Sequence, residues 1–309
     1  MISIILAVYN SAAEKVEFSL RTFFAQSYRD FEIVVADDCS KVDITDTIRN
    51  IFKENHFQNY QIIRNEKNQG TVRNILGAAA ISKGEYIKTF GAGDGFYQEN
   101  SLQKMVDYIK RTKCECGFAN MKMYSSGFGT GRIFLGPFPF PFGIYDFEKQ
   151  RNIERNLILF KDNASGAAMW YRRDILIKYL KSAVEHIKYM EDICQLEIIL
   201  DGHSVNMFSE CLFLYEGDMG ISTGSGFSQR LYDDEMNYYE YLTKKYPENK
   251  WLNKRKRYKK VFAIKNARLR CIVLAIICPG QLGLLLQRYK GLYFDKKYGG
   301  NTCDAAFLG

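Results

Sequence analysis

The sequence contains no apolar run approaching the roughly 20 residues needed to span a bilayer, which excludes an expected membrane-spanning helix. It has no internal repeat at solenoid spacing, so a stacked array is not expected. Cys114-Glu-Cys116 lacks a second Cys or His pair at zinc-finger spacing, which argues against structural zinc. The eight cysteines are scattered, and Ile2 to Val8 reads directly as a strand rather than as an export signal. Free thiols in a reducing cytosol are therefore expected. No Gly-rich basic phosphate loop follows that first strand, where Ala7-Val-Tyr-Asn10 stands instead, and this argues against a nucleotidyltransferase.

What is present supports a large folded unit. The 309 residues, 47% of them hydrophobic, can build one large α/β domain and an appendage. The net charge of +8 is unevenly distributed: residues 250–297 hold fourteen Lys or Arg and one acid, Asp295, which leaves the rest of the chain at −5. Such a tail implies an anionic partner, and no nucleic-acid recognition motif accompanies it.

Four apolar, β-branched runs occur early, at Ile2 to Val8, Phe31 to Ala36, Tyr60 to Arg64 and Glu85 to Phe90. Helical patterns between them reach to about Ser27, from Asp43 to Phe52 and from Thr71 to Ile81. Strand alternating with helix predicts a doubly wound, mostly parallel α/β sheet. Ligands of such sheets sit at the carboxyl ends of the strands. Polar residues gather there: Tyr9-Asn10 after Val8, then Asp37-Asp38, Asn65 to Asn68, and Gly91 to Asp94. Further on, the sequence predicts a strand at Gly117 to Tyr124 and a long Gly, Pro and Phe-rich stretch from Ser125 to Tyr145. A strand at Ala164 to Tyr171, a helix at Glu191 to Leu200 and a strand at Val205 to Tyr215 follow. The boundaries expected are a domain at 1–226, with halves at 1–113 and 114–226, and a mainly helical basic region at 227–309.

Each chemistry-bearing segment has a bland and a sharp reading. Asp37-Asp38 suits a turn or helix cap, or a carboxylate that accepts from a base N–H or ribose hydroxyl. Asn68-Gln-Gly70-Thr-Val-Arg73 combines a tight turn at Gly70 with a guanidinium that either faces solvent or meets a base or phosphate. Gly91-Ala-Gly93-Asp94-Gly is a simple turn, or a close backbone approach that leaves one hard oxygen ligand for Mg²⁺ or Mn²⁺. Glu191-Asp192 favours a helix dipole, or Asp192 takes a proton from a hydroxyl.

Together these segments resemble the family 2 glycosyltransferases with the GT-A fold. The resemblance covers about residues 1–216 and rests on Ser3-Ile-Ile-Leu-Ala-Val-Tyr-Asn10, Val34-Val-Ala-Asp-Asp-Cys-Ser40, Asn68 to Asn74, Gly84 to Phe90, Asp94 and Met190-Glu-Asp192. It implies a nucleotide-sugar donor, most commonly a UDP-sugar, contacted by Tyr9 and Asp38 with Arg73 near the base. It implies Asp94 as the ligand of Mn²⁺ or Mg²⁺ and Asp192 as the base of an inverting transfer. Where the family often has Asp-x-Asp-Asp, this chain has Ala92-Gly93-Asp94-Gly95. The donor-side set expected is Val8, Tyr9, Asn10, Asp37, Asp38, Asn68, Gly70, Arg73, Gly93 and Asp94. On the acceptor side Gly166 and Ala167 would leave room for a sugar ring, beside Glu191.

Glu216 to Gly226 has the composition of a loop that could close over the site, or of a plain linker. In the tail, Lys254-Arg-Lys-Arg257, Lys259, Lys260, Arg268 and Arg270 adjoin apolar runs at Cys271 to Cys278 and Leu282 to Leu286. That pairing fits attachment to an anionic membrane surface, with a helical subdomain or homo-oligomer contact as the alternative. The whole predicts a cytoplasmic enzyme, peripheral on the inner face of the membrane, that extends a glycan or lipid-linked acceptor for capsule or another surface polysaccharide. The rival reading is a non-catalytic nucleotide-sugar-binding protein.

Overall fold

The computed structural model describes residues 1–124, 134–138, 150–160, 164–217, 228–264 and 266–277. The first half alternates β1 (Ile2–Val8), α1 (Ala13–Phe24), β2 (Phe31–Asp37), α2 (Thr45–Glu54), β3 (Tyr60–Arg64), α3 (Thr71–Ile81) and β4 (Tyr86–Gly91). After these come β5 (Gly95–Phe96), α4 (Ser101–Thr112), β6 (Cys116–Tyr124), β7 (Phe134–Phe138), α5 (Gln150–Phe160), β8 (Met169–Arg172), α6 (Arg173–Ala183), α7 (Cys194–Leu200) and β9 (Val205–Glu216). Four helices close the described chain: α8 (Gln229–Lys245), α9 (Lys250–Arg257), α10 (Lys259–Phe262) and α11 (Ala267–Ile277).

One sheet runs β3-β2-β1-β4-β8-β6-β9-β5, with β7 paired to β6. The four N-terminal strands are parallel, with Val8 opposite Asp37 and Ala7 opposite Gly91. Helices cover such strands on both faces, which is why β1 and β2 are almost wholly buried and read as continuous apolar runs. The second half is mixed: β8 runs antiparallel to β4 and β6, while β6 and β9 are parallel with register shifts after Ala119.

Two elements differ from the sequence reading. Ala164 to Tyr171 is not a single strand, because Gly166–Ala168 forms a 3-10 turn before β8 begins at Met169. The expected helix from Glu191 opens as a 3-10 turn, Glu191–Ile193, and becomes α-helical at Cys194. The long stretch at Ser125 to Tyr145 lies outside the described residues except for β7, as does the loop from Asp218 to Gly226.

Helix α8, which the sequence reading assigns to the appendage, is bonded into the first 226 residues. The fully buried Glu197 carboxylate on α7 accepts from Tyr238 and Tyr241 of α8 and from Lys245. Asp234, also buried, uses one oxygen to accept from the backbone amides of Lys188, Tyr189 and Met190. A single carboxylate thereby fixes the three residues that lead into Glu191. Next to it, Arg255 of α9 pairs with Glu235 at 2.6 Å and lies between the rings of Tyr239 and Phe262.

Candidate functional site

A cleft of about 510 Å³ opens at the carboxyl ends of β1 and β4. It brings together seven of the residues expected from sequence: Tyr9, Asn10, Asp94, Gly166, Ala167, Glu191 and Asp192. Tyr9 is half exposed at its rim. Asn10 adopts a left-handed φ of 51°, held by its amide donating to Ser40 Oγ and its side-chain oxygen accepting from the Lys41 amide.

Val8, Asp37, Asp38, Asn68, Gly70 and Arg73 lie outside the cleft lining, while Gly93 stands between cleft-lining Ala92 and Asp94. Val8 is a core side chain, 1% exposed, and its carbonyl accepts from the Asp38 amide. Asp37 accepts from the amide and hydroxyl of Ser40 and pairs with Arg64, so its turn role is met in full. Asp38 is buried, with one oxygen accepting from Asn65 Nδ2 and the Gln69 amide and the other from the Gly70 amide. It therefore organises the loop between β3 and α3 and is not on the cleft wall. Gly70 sits at φ 86°, and a Cβ there would come within 2.6 Å of the Lys188 carbonyl oxygen. Its missing side chain is what lets that loop pack beneath the approach to Glu191.

Arg73 and Asn68 open onto a separate depression of about 500 Å³, where Arg73 pairs with Glu185 at 2.8 Å. The helix period explains the difference from expectation. Thr71 and Ile75, one turn apart on α3, line the main cleft, and Arg73 between them points away.

Asp94 is 7% exposed, with one oxygen accepting from the Glu216 amide at 3.0 Å and the other from the Gly91 amide at 3.2 Å. Burial pushes its carboxyl up to about 7 against the pull of those two amides and of Lys88, while neighbouring Glu216 adds to the rise. Lys88 is fully buried behind the cleft floor, donating to the carbonyls of Thr89 and Ala167 and lying over the rings of Phe90 and Phe213. Burial drives that ammonium well below its ordinary range.

Glu191 and Asp192, which also line the cleft, are half-buried. Burial first, and the adjoining Asp192 second, push the Glu191 carboxyl upward, so it tends to hold its proton. A Cβ at Gly166 would meet Glu191 Oε1 at 2.5 Å. The small residue at 166 thus allows the close approach of Glu191, and it lines the cleft as well.

Sequence reasoning did not single out Lys15, Tyr189 or Tyr215, all of which line the cleft, and read Glu216 only as the start of a loop. For Lys15 a signal existed. Because α1 starts so soon after β1, its first turn has to face the same strand ends as Tyr9.

The donor set can be tested for a divalent cation. Asp94 supplies hard carboxylate oxygens whose orientation is fixed by backbone amides, and this fits Mg²⁺ or Mn²⁺. Among the described residues, no group of three or more His, Cys, Asp or Glu could hold an ion on protein ligands alone.

A parallel half joined through β4 to a mixed half, with acids at the strand ends between them, is the GT-A architecture of sugar-transferring proteins. The profile of Glycosyl transferase family 2 matches residues 3–180, more than half of the chain, and the chain belongs to that family. Among curated proteins it is similar to an uncharacterized glycosyltransferase of Haemophilus influenzae, 32% identical over 111 residues. That match covers 36% of this chain and 35% of the relative, so the likeness spans only about a third of the relative's length. Among solved structures it is similar to S. aureus TarS 1–349 in complex with UDP-GlcNAc, at TM-score 0.53 and 19% identity, covering 74% of this chain and 61% of that one. It is also similar to the mannosyltransferase PcManGT from Pyrobaculum calidifontis in complex with GDP-Man and Mn²⁺, at TM-score 0.57 and 14% identity, covering 94% and 80%. At these identities the structural likenesses establish the fold.

Proposed function

We propose that this chain transfers a sugar, with inversion, from a nucleotide-sugar to a hydroxyl of a glycan or lipid-linked acceptor in surface-polysaccharide synthesis. The observation that carries the reading is the convergence of Asp94 and the Glu191-Asp192 turn on one cleft. Asp192 takes the proton of the acceptor hydroxyl as it attacks the anomeric carbon from the face opposite the leaving diphosphate. Glu191, holding its proton, lowers the repulsion beside that base, and Asp234 of α8 holds the turn that presents both. Tyr9 and Asn10 border the donor side. Gly93 lets the backbone pass close at the strand end, while Asp38 and Gly70 act by holding the loop that carries Thr71. Asp94 would hold Mn²⁺ or Mg²⁺, which when bound neutralises charge growing on the leaving group. Among the neighbours, TarS with UDP-GlcNAc and PcManGT with GDP-Man support both UDP- and GDP-sugars as donors to test. Inversion is checked by NMR of the product's anomeric configuration: the configuration opposite to the donor's is expected, and retention removes the single-displacement role of Asp192.

We assign the basic C-terminal region to an anionic membrane surface. Residues 250–277 carry ten Lys or Arg and no acid, and α11 leaves Leu269, Ile272 and Ile276 on one face at 51%, 53% and 75% exposure. Among the described residues, no helix is long and apolar enough to cross a membrane. Cys278 and the run from Leu282 to Leu286 lie outside them. Sedimentation with anionic vesicles tests the assignment. Ile272→Asp combined with Ile276→Asp is expected to leave the protein in the supernatant, and unchanged pelleting of that variant would point to an oligomer contact instead.

A further inference from the structure

We infer that Glu216, arriving from β9, is the second carboxylate of the divalent-cation site and replaces the acids absent at Ala92 and Gly95. This rests on the reading of Asp94 as a metal ligand. The geometry behind it is local. The Glu216 amide donates to Asp94 Oδ1 at 3.0 Å, so the two residues are locked side by side on the cleft wall. Gly93, at φ 101°, has no side chain, and a Cβ built there would lie 2.4 Å from Glu216 Oε2. The carboxylate of Glu216 therefore occupies the space beside Asp94 that a side chain on the strand-end motif would otherwise fill. Tyr124 of β6 donates its hydroxyl to the Gly93 carbonyl and fixes the backbone at that point.

Glu216 is 6% exposed, a costly place for a carboxylate without strong partners. Its charge is met by Lys15, whose Nζ lies 2.8 Å from each carboxylate oxygen. Only the contact to Oε2 has hydrogen-bond geometry, and Oε1 is left buried without a hydrogen bond. Two oxygens facing one ammonium, with a hydrogen bond to only one of them, leave acceptor capacity for a second cation. Lys15 itself lines the cleft, so its flexible stem can carry the ammonium toward an entering diphosphate while Glu216 turns its charge to the metal.

The test is Mn²⁺ binding to the full-length protein without donor, followed by EPR of free Mn²⁺. Glu216→Gln is expected to weaken binding at least about tenfold, as is Asp94→Asn, because each removes a ligand charge. Lys15→Met removes a competing cation and is expected to bind Mn²⁺ at least as tightly as the native protein. The double variant Lys15→Met with Glu216→Gln leaves no buried unpaired charge, so it retains the native melting transition and still binds weakly. If Asp94→Asn loses Mn²⁺ while Glu216→Gln stays within about twofold of the native protein, Glu216 is not a ligand and only this inference falls. Loss of Mn²⁺ in Lys15→Met equal to that in Glu216→Gln would show that the ion pair matters rather than the carboxylate, and would also overturn it. If none of the variants alters binding, the metal role of Asp94 falls as well.

Discussion

Asp192→Asn is expected to lower transfer by about 10²- to 10⁴-fold, the range for loss of a positioned general base, while donor affinity stays within about twofold. The split follows from position. Asp192 lines the cleft from the turn before α7, beside Gly166 and Glu191, whereas Asp94 lines it from the end of β4. Titration calorimetry with the nucleoside diphosphate, alongside single-turnover rates, separates the two effects. Near-native transfer by the variant would remove the base assignment.

Asp94→Asn is expected to act on the other half of the cycle, weakening Mn²⁺-dependent nucleotide binding by on the order of 100-fold. The native carboxyl, raised to about 7, must lose its proton before it can take a cation. Apparent Mn²⁺ affinity should therefore climb with pH up to about 7 and level off above it, falling by about tenfold per unit below. Asn at this position abolishes that dependence. Stability without metal has the matching sign. The folded protein binds this proton more tightly than the 3.8 of a free carboxyl, so the stability it contributes is complete below about pH 4 and is lost as the pH rises through about 7. The native protein should accordingly lose stability relative to Asp94→Asn as the pH rises from 5 to 8, read from the denaturant midpoints of both. Flat Mn²⁺ affinity in the native protein between pH 5.5 and 8, titrations chosen to bracket about 7, would contradict the assignment.

The N-terminal fold was legible because its strands are buried on both faces, so that Ile2 to Val8 and Phe31 to Ala36 read as unbroken apolar runs between helices. Asp94 and Asp192 were legible for a related reason: each is an acid placed where an apolar element stops or starts. Partnerships between distant segments were not. For Asp38 the sequence left a turn role and a ligand role open, and its oxygens are taken by amides of Gln69 and Gly70, about thirty residues onward. Glu216 meets Asp94 across 122 residues of sequence, in a Tyr-Glu-Gly context that reads as a loop. Asp234 sits in a helix that the sequence reading assigns to the appendage, although its carboxylate holds the turn that carries Asp192. Arg73 was a matter of helical phase, since one turn of α3 gives the cleft to Thr71 and Ile75. At Gly166 a run of small residues suggested an extended strand, whereas the chain makes a 3-10 turn there with Glu191 packed against it.

The proposal gives the donor side of the cleft to Asp94 and the acceptor side to Asp192, and the claim that joins them is metal-assisted use of a nucleotide-sugar. Release of nucleoside diphosphate from UDP- and GDP-sugars, with Mn²⁺ present and then chelated, tests it most directly. Turnover that appears with Mn²⁺, disappears on chelation and is lost in Asp94→Asn is the predicted result. No release from any common nucleotide-sugar, or release indifferent to both chelation and Asp94→Asn, would contradict it.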